Sequence, residues 1–160
     1  MAQARSAFIE GLRAERDAFR EFCDTLQTER ACLLRADVDA LTQVTRQKSE
    51  RVDRLVELRD TRTRYLESLG LDPSSSDTER WLATHTVPDA ATLSQLWKEL
   101  VEFARHARDL NHANGALITA RLNHNQAALA ALHIAAQTQS LYGPDGQTDV
   151  LPEHRDLGLA

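Results

Sequence analysis

Residues 110–132 read LNHANGALITARLNHNQAALAAL, and they lie within a longer segment, from about residue 89 to residue 140, that has a helical pattern. Apolar residues recur along it at alternating steps of three and four, forming a heptad seam interrupted by two Asn and one Arg. The seam consists of Leu93, Leu96, Leu100, Phe103, Ala107, Leu110, Asn114, Leu117, Arg121, Asn125, Ala128, Leu132 and Ala135. A helix of about fifty residues is not stable alone in water, so the seam predicts that other helices pack against it.

Two earlier segments have the same rhythm. The first predicted helix covers residues 3–35, with a seam of Phe8, Leu12, Glu15, Phe19, Phe22, Leu26, Glu29 and Leu33. The second covers residues 37–69, with a seam of Val38, Leu41, Thr45, Lys48, Val52, Leu55, Arg59, Arg62, Leu66 and Leu69. Asp37 is the predicted N-cap of this second helix, and Gly70 is its left-handed C-cap. The short connection between the helices favours an antiparallel hairpin, and the alternative is one longer helix with a kink.

The remaining segments are shorter. Residues 70–76 have the composition of a linker, and a capping box formed by Ser76 and Glu79 opens a short predicted helix at residues 77–84 that carries Trp81. Gly and Pro residues cluster after Ser140, which predicts a flexible acidic tail at residues 141–160. The predicted fold class is therefore all-α. It is an elongated antiparallel helical bundle or coiled coil of three long helices plus one short helix, in a single domain at residues 1–140.

The charge pattern excludes several classes of protein. The net charge is −5, but the three long helices each carry equal numbers of acidic and basic residues, as solvated bundle faces do. No helix face concentrates Lys and Arg, which argues against nucleic-acid binding. No apolar run is long enough to insert into a membrane, and the N-terminus lacks the apolar core of a signal peptide. The predicted location is the cytoplasm.

Catalytic chemistry is not indicated. The four His of the long helix, at 106, 112, 124 and 133, never lie one turn apart, although metal sites on helices need that spacing. No phosphate-binding loop and no nucleophile elbow occur. The sequence predicts no enzyme, no metal and no cofactor.

A gap in the charge pattern points to binding instead. No Asp, Glu, Lys or Arg occurs between Arg121 and Asp145, and the apolar surface of this part of the helix is broader than one seam. If all three helices start level, this end of the long helix overshoots the hairpin by roughly 25 Å. An exposed apolar helix end predicts an interaction site. The alternatives are a homodimer contact and folding back on the hairpin.

The sequence also resembles the FlgN family of flagellar export chaperones over most of its length. The resemblance is carried by ERACLL at residues 29–34, DVDAL at 37–41, LNHANGALI at 110–118, QAAL at 126–129 and YGPDGQT at 142–148, together with Lys48 and Arg62. It implies a small cytosolic helical bundle without catalytic activity. It further implies binding to the C-terminal helices of the hook–filament junction proteins FlgK and FlgL, and delivery to the export gate protein FlhA.

The apolar helix end and the family resemblance together predict two sites. The client-binding face comprises Asn114, Ile118, Leu122, Asn125, Leu129, Leu132 and Ala136. For the Asn residues on or near the seam, the alternative is control of helix register. Tyr142 and Gly143 are the predicted docking point for the export gate, and the alternative for Tyr142 is packing on the last helical turn. From a different class, the alternative function is a structural coiled-coil protein that oligomerises through the apolar end of its long helix.

Overall fold

The structure is a computed structural model that describes residues 2–72 and 90–141. Three long helices account for nearly all of these residues: α1 (Ala2–Arg35), α2 (Val38–Ser68) and α3 (Ala90–Leu141). Within these ranges no strand occurs. The predicted all-α fold with three long helices is confirmed, and the helix ends agree with the predicted ends to within one residue. The predicted short helix at 77–84 lies outside the described residues. The predicted tail at 141–160 also lies outside them except for Leu141, where the prediction is wrong because Leu141 belongs to α3.

The chain divides into two compact units, Met1–Ile118 and Thr119–Ala160. The first unit contains α1, α2 and the first part of α3, and the second contains the last part of α3. The predicted single domain at residues 1–140, and the predicted overshoot of α3 beyond the hairpin, remain predictions.

The turn between α1 and α2 is built by backbone hydrogen bonds. Asp37 N–H donates to the Cys32 carbonyl at 3.1 Å, and Ala36 adopts a left-handed φ of 59°. This is the Schellman arrangement that ends many helices. The Asp37 side chain then accepts a hydrogen bond from Ala40 N–H at 3.0 Å, which caps α2 as predicted. Two helices joined by so short a connection form the predicted antiparallel hairpin.

The end of α2 repeats the same arrangement with a glycine. Gly70 has a φ of 72°, and Leu71 N–H donates to the Leu66 carbonyl at 3.1 Å. The left-handed C-cap predicted at Gly70 is confirmed. Leu71, the residue that follows the cap, packs against the core cluster that contains Leu66. The cap therefore directs the chain back onto the bundle.

We expect opposite effects from the same substitution at two glycines. Gly70→Ala should lower the free energy of unfolding by about 1 kcal/mol, because a Cβ is disfavoured in the left-handed region. Gly115→Ala is the matched control: Gly115 lies within helix α3, and an added Cβ there meets no atom within 4 Å. It should raise the free energy of unfolding by about 0.5–1 kcal/mol. Urea unfolding followed by circular dichroism measures both, and equal effects at both positions would contradict the cap.

Helix α1 contacts both other helices of the first unit. On the α2 side, the rings of Phe8 and Tyr65 stack with centroids 4.2 Å apart. On the α3 side, the Cys23 thiol donates to the Phe103 carbonyl at 3.6 Å. The two core clusters combine residues of these helices: Phe8, Ile9, Leu12, Leu66, Leu93, Leu96, Trp97 and Leu100 in one, and Phe22, Cys23, Leu26 and Ala107 in the other. The other two helices of the first unit therefore both pack against α1.

The burial of the predicted seam residues differs between the three helices. Every seam residue of α1 is buried or half-buried, including both glutamates. The α3 seam is buried or half-buried from Leu93 to Arg121 and exposed from Asn125 onward. In α2, however, the prediction is wrong for Val38, Thr45, Val52, Arg59 and Leu69, all of which are exposed. The buried side of α2 instead includes Val44, which is buried, and Leu58, which is half-buried.

Candidate functional site

The first unit contains two buried polar layers that join all three helices. In the first layer, Glu15 of α1 is 1% exposed and accepts a hydrogen bond from Arg62 of α2 at 2.9 Å. The Arg62 guanidinium lies over the ring of Trp97 of α3, 5.3 Å from its centroid, as in a cation–π contact. The layer thus links an acid, a base and an aromatic ring from three different helices.

The buried environment of Glu15 disfavours the ionised form of its carboxyl group. Burial raises the pKa of this carboxyl above its usual range, and the charge of Arg62 and its hydrogen bond partly oppose the rise. Folding therefore favours the protonated form of Glu15. This contribution to stability is fully present below the carboxyl's pKa in the unfolded chain, and it is lost as the pH rises through the folded pKa.

The second layer lies further along α1. Both carboxylate oxygens of Glu29 accept hydrogen bonds from Lys48 Nζ at 3.0 Å. The Asn114 amide of α3 donates to Glu29 Oε2 and to the Leu26 carbonyl, both at 2.8 Å. Glu29 is 4% exposed and Asn114 is 0% exposed, so these bonds form away from water. Bonds to a buried charged group are among the stronger hydrogen bonds in proteins.

The contacts of Asn114 inside the bundle bear on whether this residue binds a client or controls the register of the helices. Its amide nitrogen is occupied by two acceptors of α1, and its side chain is inaccessible. These contacts are what register control requires, because a shifted α3 would leave the amide without its partners. Client contact by Asn114 remains a prediction, and we leave this residue out of the proposed binding face.

The part of α3 within the second unit has a different character. From Leu122 to Gln137 every residue is exposed, including four large apolar side chains. Leu122, Leu129, Leu132 and Ile134 are 56%, 60%, 67% and 65% exposed. We call residues 122–137 the apolar segment. Large apolar side chains exposed together on one helix are typical of an interaction site.

Most of the predicted client-binding residues lie on this segment. Leu122, Asn125, Leu129, Leu132 and Ala136 are exposed, and at helical spacing they share an arc of about 80°. Ile118, in the first unit, is 38% exposed. Ile134 was not among the predicted residues, and it lies about 120° from Leu122 around the helix. Tyr142 and Gly143 lie outside the described residues, so gate docking through them remains a prediction.

The described part of the chain lacks two kinds of site. No group of three or more His, Cys, Asp or Glu side chains there is arranged to hold a metal ion. None of the described helices has an apolar stretch long enough to cross a membrane. The features present in the described residues are a helical bundle and an exposed apolar helical surface, and surfaces of this kind are typical of protein-binding modules.

The comparison with known families agrees with this class and narrows it. The model of the FlgN family, described as FlgN protein, matches residues 1–149, and the chain belongs to that family. The chain is also similar to the flagella synthesis protein FlgN of Yersinia enterocolitica serotype O:8. The two are 31% identical over 144 residues, which cover 86% of this chain and 89% of the Yersinia protein.

A second relative matches over a shorter stretch. The flagella synthesis protein FlgN of Salmonella typhimurium is 41% identical to this chain over 58 residues, or 36% of this chain. The match spans 41% of the length of the Salmonella protein. No solved structure matches. The family resemblance inferred from the sequence is confirmed, and the partners that the resemblance implies belong to the proposal that follows.

Proposed function

We propose that this protein is a cytoplasmic export chaperone that binds the C-terminal helices of FlgK-type and FlgL-type hook–filament junction proteins and delivers them to the export gate protein FlhA. Membership of the FlgN family supports the general role in making flagella. The exposed leucines of the apolar segment support the binding step, and they are the main observation behind the proposal. The alternative, a coiled-coil protein that oligomerises through the same segment, is separated from it by experiment below.

The chemistry of the segment suits an amphipathic helix. Leu122, Leu129 and Leu132 offer apolar area, and the segment contains no Asp, Glu, Lys or Arg. Full burial of a leucine side chain contributes about 1.5–3 kcal/mol. A client helix that lays its apolar face on these leucines would therefore be held mainly by the hydrophobic effect. Its own aggregation-prone face would be covered at the same time.

The test is a charge placed on the proposed face. Leu129→Asp should weaken binding of a client C-terminal peptide by at least tenfold, because docking would bury an unpaired carboxylate. Ile134→Asp is the matched control, since Ile134 is also exposed on the apolar segment but lies on another face. It should change affinity much less. Isothermal titration of both variants measures the affinities, and thermal unfolding checks that Leu129→Asp still folds.

The outcomes separate the candidate functions. Equal weakening by both substitutions, or by neither, would remove the case for this face. Light scattering with and without peptide gives the mass of the protein. A stable dimer that Leu129→Asp converts to a monomer, with no peptide binding by the wild type, would favour the structural coiled-coil protein.

Delivery to the export gate is the second part of the proposal. The predicted docking residues are Tyr142, which matches the aromatic position of the family's tail, and Gly143, which follows it. We expect Tyr142→Ala to weaken binding to the cytosolic domain of the gate protein and to leave client affinity and stability nearly unchanged. Titration with the gate domain and, separately, with the client peptide measures this. Lower stability with intact gate binding would instead mean that Tyr142 packs on the helix.

A further inference from the structure

A groove lies between α2 and α3 in the first unit. Both helices contribute apolar and basic side chains to it. We call it the α2–α3 groove. It consists of two adjoining cavities that share Arg62, Leu100 and Ala104. Val52, Val56 and Arg59 line the first cavity, and Arg105 and Arg108 line the second. All of these residues lie between positions 15 and 108, so the groove is separate from the apolar segment.

The floor of the groove is apolar and partly open to solvent. Val52 and Val56 of α2 are 40% and 41% exposed. Phe19, Leu55 and Ala104 are half-buried beneath and beside them. Val52 belongs to the part of the predicted α2 seam that the structure leaves exposed. Helix α2 therefore carries more apolar surface than its packing against α1 uses.

The rim of the groove is basic. Arg59 and Arg62 line the α2 wall, and Arg105 and Arg108 line the α3 wall. The only acidic side chain in the lining is Glu15, which is buried and already paired with Arg62. Arg59 and Arg108 contact the acidic residues that follow them in the sequence, but both pairs are exposed, and exposed pairs contribute little. The positive rim contrasts with the protein's net charge of −5.

The length of the groove matches a helix. Trp97 and Arg108 are eleven residues apart on α3, which corresponds to about 16 Å, or three helical turns. On the other wall, Arg62 lies across from the Trp97 end, and Val52 lies toward the Arg108 end, because α2 and α3 run in opposite directions. A fourth helix set between α2 and α3 would complete a four-helix bundle.

We propose that the α2–α3 groove binds an acidic amphipathic α-helix of a partner protein. The apolar face of this helix would cover Val52 and Val56, and its acidic flanks would face Arg59, Arg105 and Arg108. Recognition of a helix in an apolar groove with complementary charges at the rim is a common mode of binding. The proposal does not depend on the client-binding function, because it concerns a different surface.

The chain's own residues 73–89 are the main alternative occupant, since they carry Trp81 and several acidic residues. These seventeen residues also have to join Asp72 to Ala90, which limits how many can lie along three turns of groove. A second copy of this chain is a weaker candidate, because its uncharged apolar segment does not complement a basic rim.

The test uses a designed helical peptide of about 15 residues, a length at which isolated helices begin to be stable. Leucines at helical spacing form one face, and glutamates flank them. A second peptide replaces every glutamate with lysine. Fluorescence anisotropy with the full chain should show at least tenfold tighter binding of the acidic peptide, and added salt should weaken that binding.

Variants of the groove then locate the binding. Arg105→Glu combined with Arg108→Glu should abolish the preference for the acidic peptide. Arg30→Glu combined with Arg46→Glu is the matched control, because it changes the net charge equally at exposed positions outside the groove, and it should retain the preference. Val56→Gln should weaken binding of the acidic peptide at least threefold, without loss of folding, because Val56 is 41% exposed.

Four results would overturn the proposal. The first is equal or absent binding of the two peptides. The second is binding that Leu129→Asp abolishes and the groove variants leave intact, which would place the peptide on the apolar segment. The third is tighter peptide binding after Trp81→Ser, which would mean that the chain's own residues occupy the groove. The fourth is a dimer that Val56→Gln dissociates, which would make a second copy the occupant.

Discussion

Replacing Glu29 with alanine should lower the free energy of unfolding by about 3–5 kcal/mol, the usual result of breaking a buried ion pair from one side. The Lys48 ammonium loses both of its bonds to the carboxylate, and the Asn114 amide loses one of its two acceptors. Asn114 is 0% exposed, and 23% of the Lys48 side chain is exposed, so both groups would be poorly solvated once the carboxylate is gone. Urea unfolding followed by helical circular dichroism measures the change.

Glu10→Ala is the matched control for this experiment. Glu10 pairs with Arg13 on the same helix, but 66% of its side chain is exposed, so its loss should change stability little. A second comparison replaces Glu29 and Lys48 together with leucine. The double variant should be much more stable than Glu29→Ala, because no charge is then left unpaired. If Glu29→Ala unfolds like the wild type, the polar layer does not hold the helices together.

Leu66→Ala should lower the free energy of unfolding by about 2–5 kcal/mol. Leu66 is 0% exposed and belongs to a cluster that also contains Phe8 and Leu12 of α1 and Leu93 of α3. Removal of its side chain loses buried apolar area and leaves a cavity where three helices meet. Leu34→Ala is the control, because Leu34 is 62% exposed, and it should have a small effect. Similar losses at both positions would contradict the position of this core.

The sequence was most informative where one helix has neighbours on both sides. Every predicted seam residue of α1 is buried or half-buried, including Glu15 and Glu29. A helix in contact with two others needs a wide apolar face, and such a face leaves little choice of orientation. The caps at Asp37 and Gly70 were also predictable, because each depends on one residue type at one backbone position.

Helix α2 shows why the rest was not predictable. Its sequence contains two overlapping series at helical spacing, one through Val38, Thr45 and Val52 and the other through Leu41, Val44 and Leu58. Either series is an acceptable seam, and the choice depends on where α1 lies. The exposure of the apolar segment was predicted from the greater length of its helix, but no such signal identifies the groove, because its walls come from helices distant in sequence.

The two buried ion pairs could have been predicted from the sequence, because all four of their residues belong to predicted seams. Glu29 comes fourteen residues after Glu15 on α1, and Lys48 comes fourteen residues before Arg62 on α2. Two acids and two bases at equal separations on antiparallel helices indicate matching pairs. These four residues were predicted as seam members but not as pairs, and the equal separations were the missed signal.

Those equal separations also affect how the hairpin finds its alignment during folding. If α2 slips along α1 by one heptad, Glu15 comes opposite Leu55 or Leu69, and Glu29 comes opposite Leu41 or Leu55. A slip of two heptads restores one ion pair at most. We expect each charge that such a misaligned bundle buries without a partner to cost several kcal/mol, which disfavours that alignment. We therefore expect the two carboxylates to favour the native alignment over slipped alignments that hydrophobic contacts alone would tolerate.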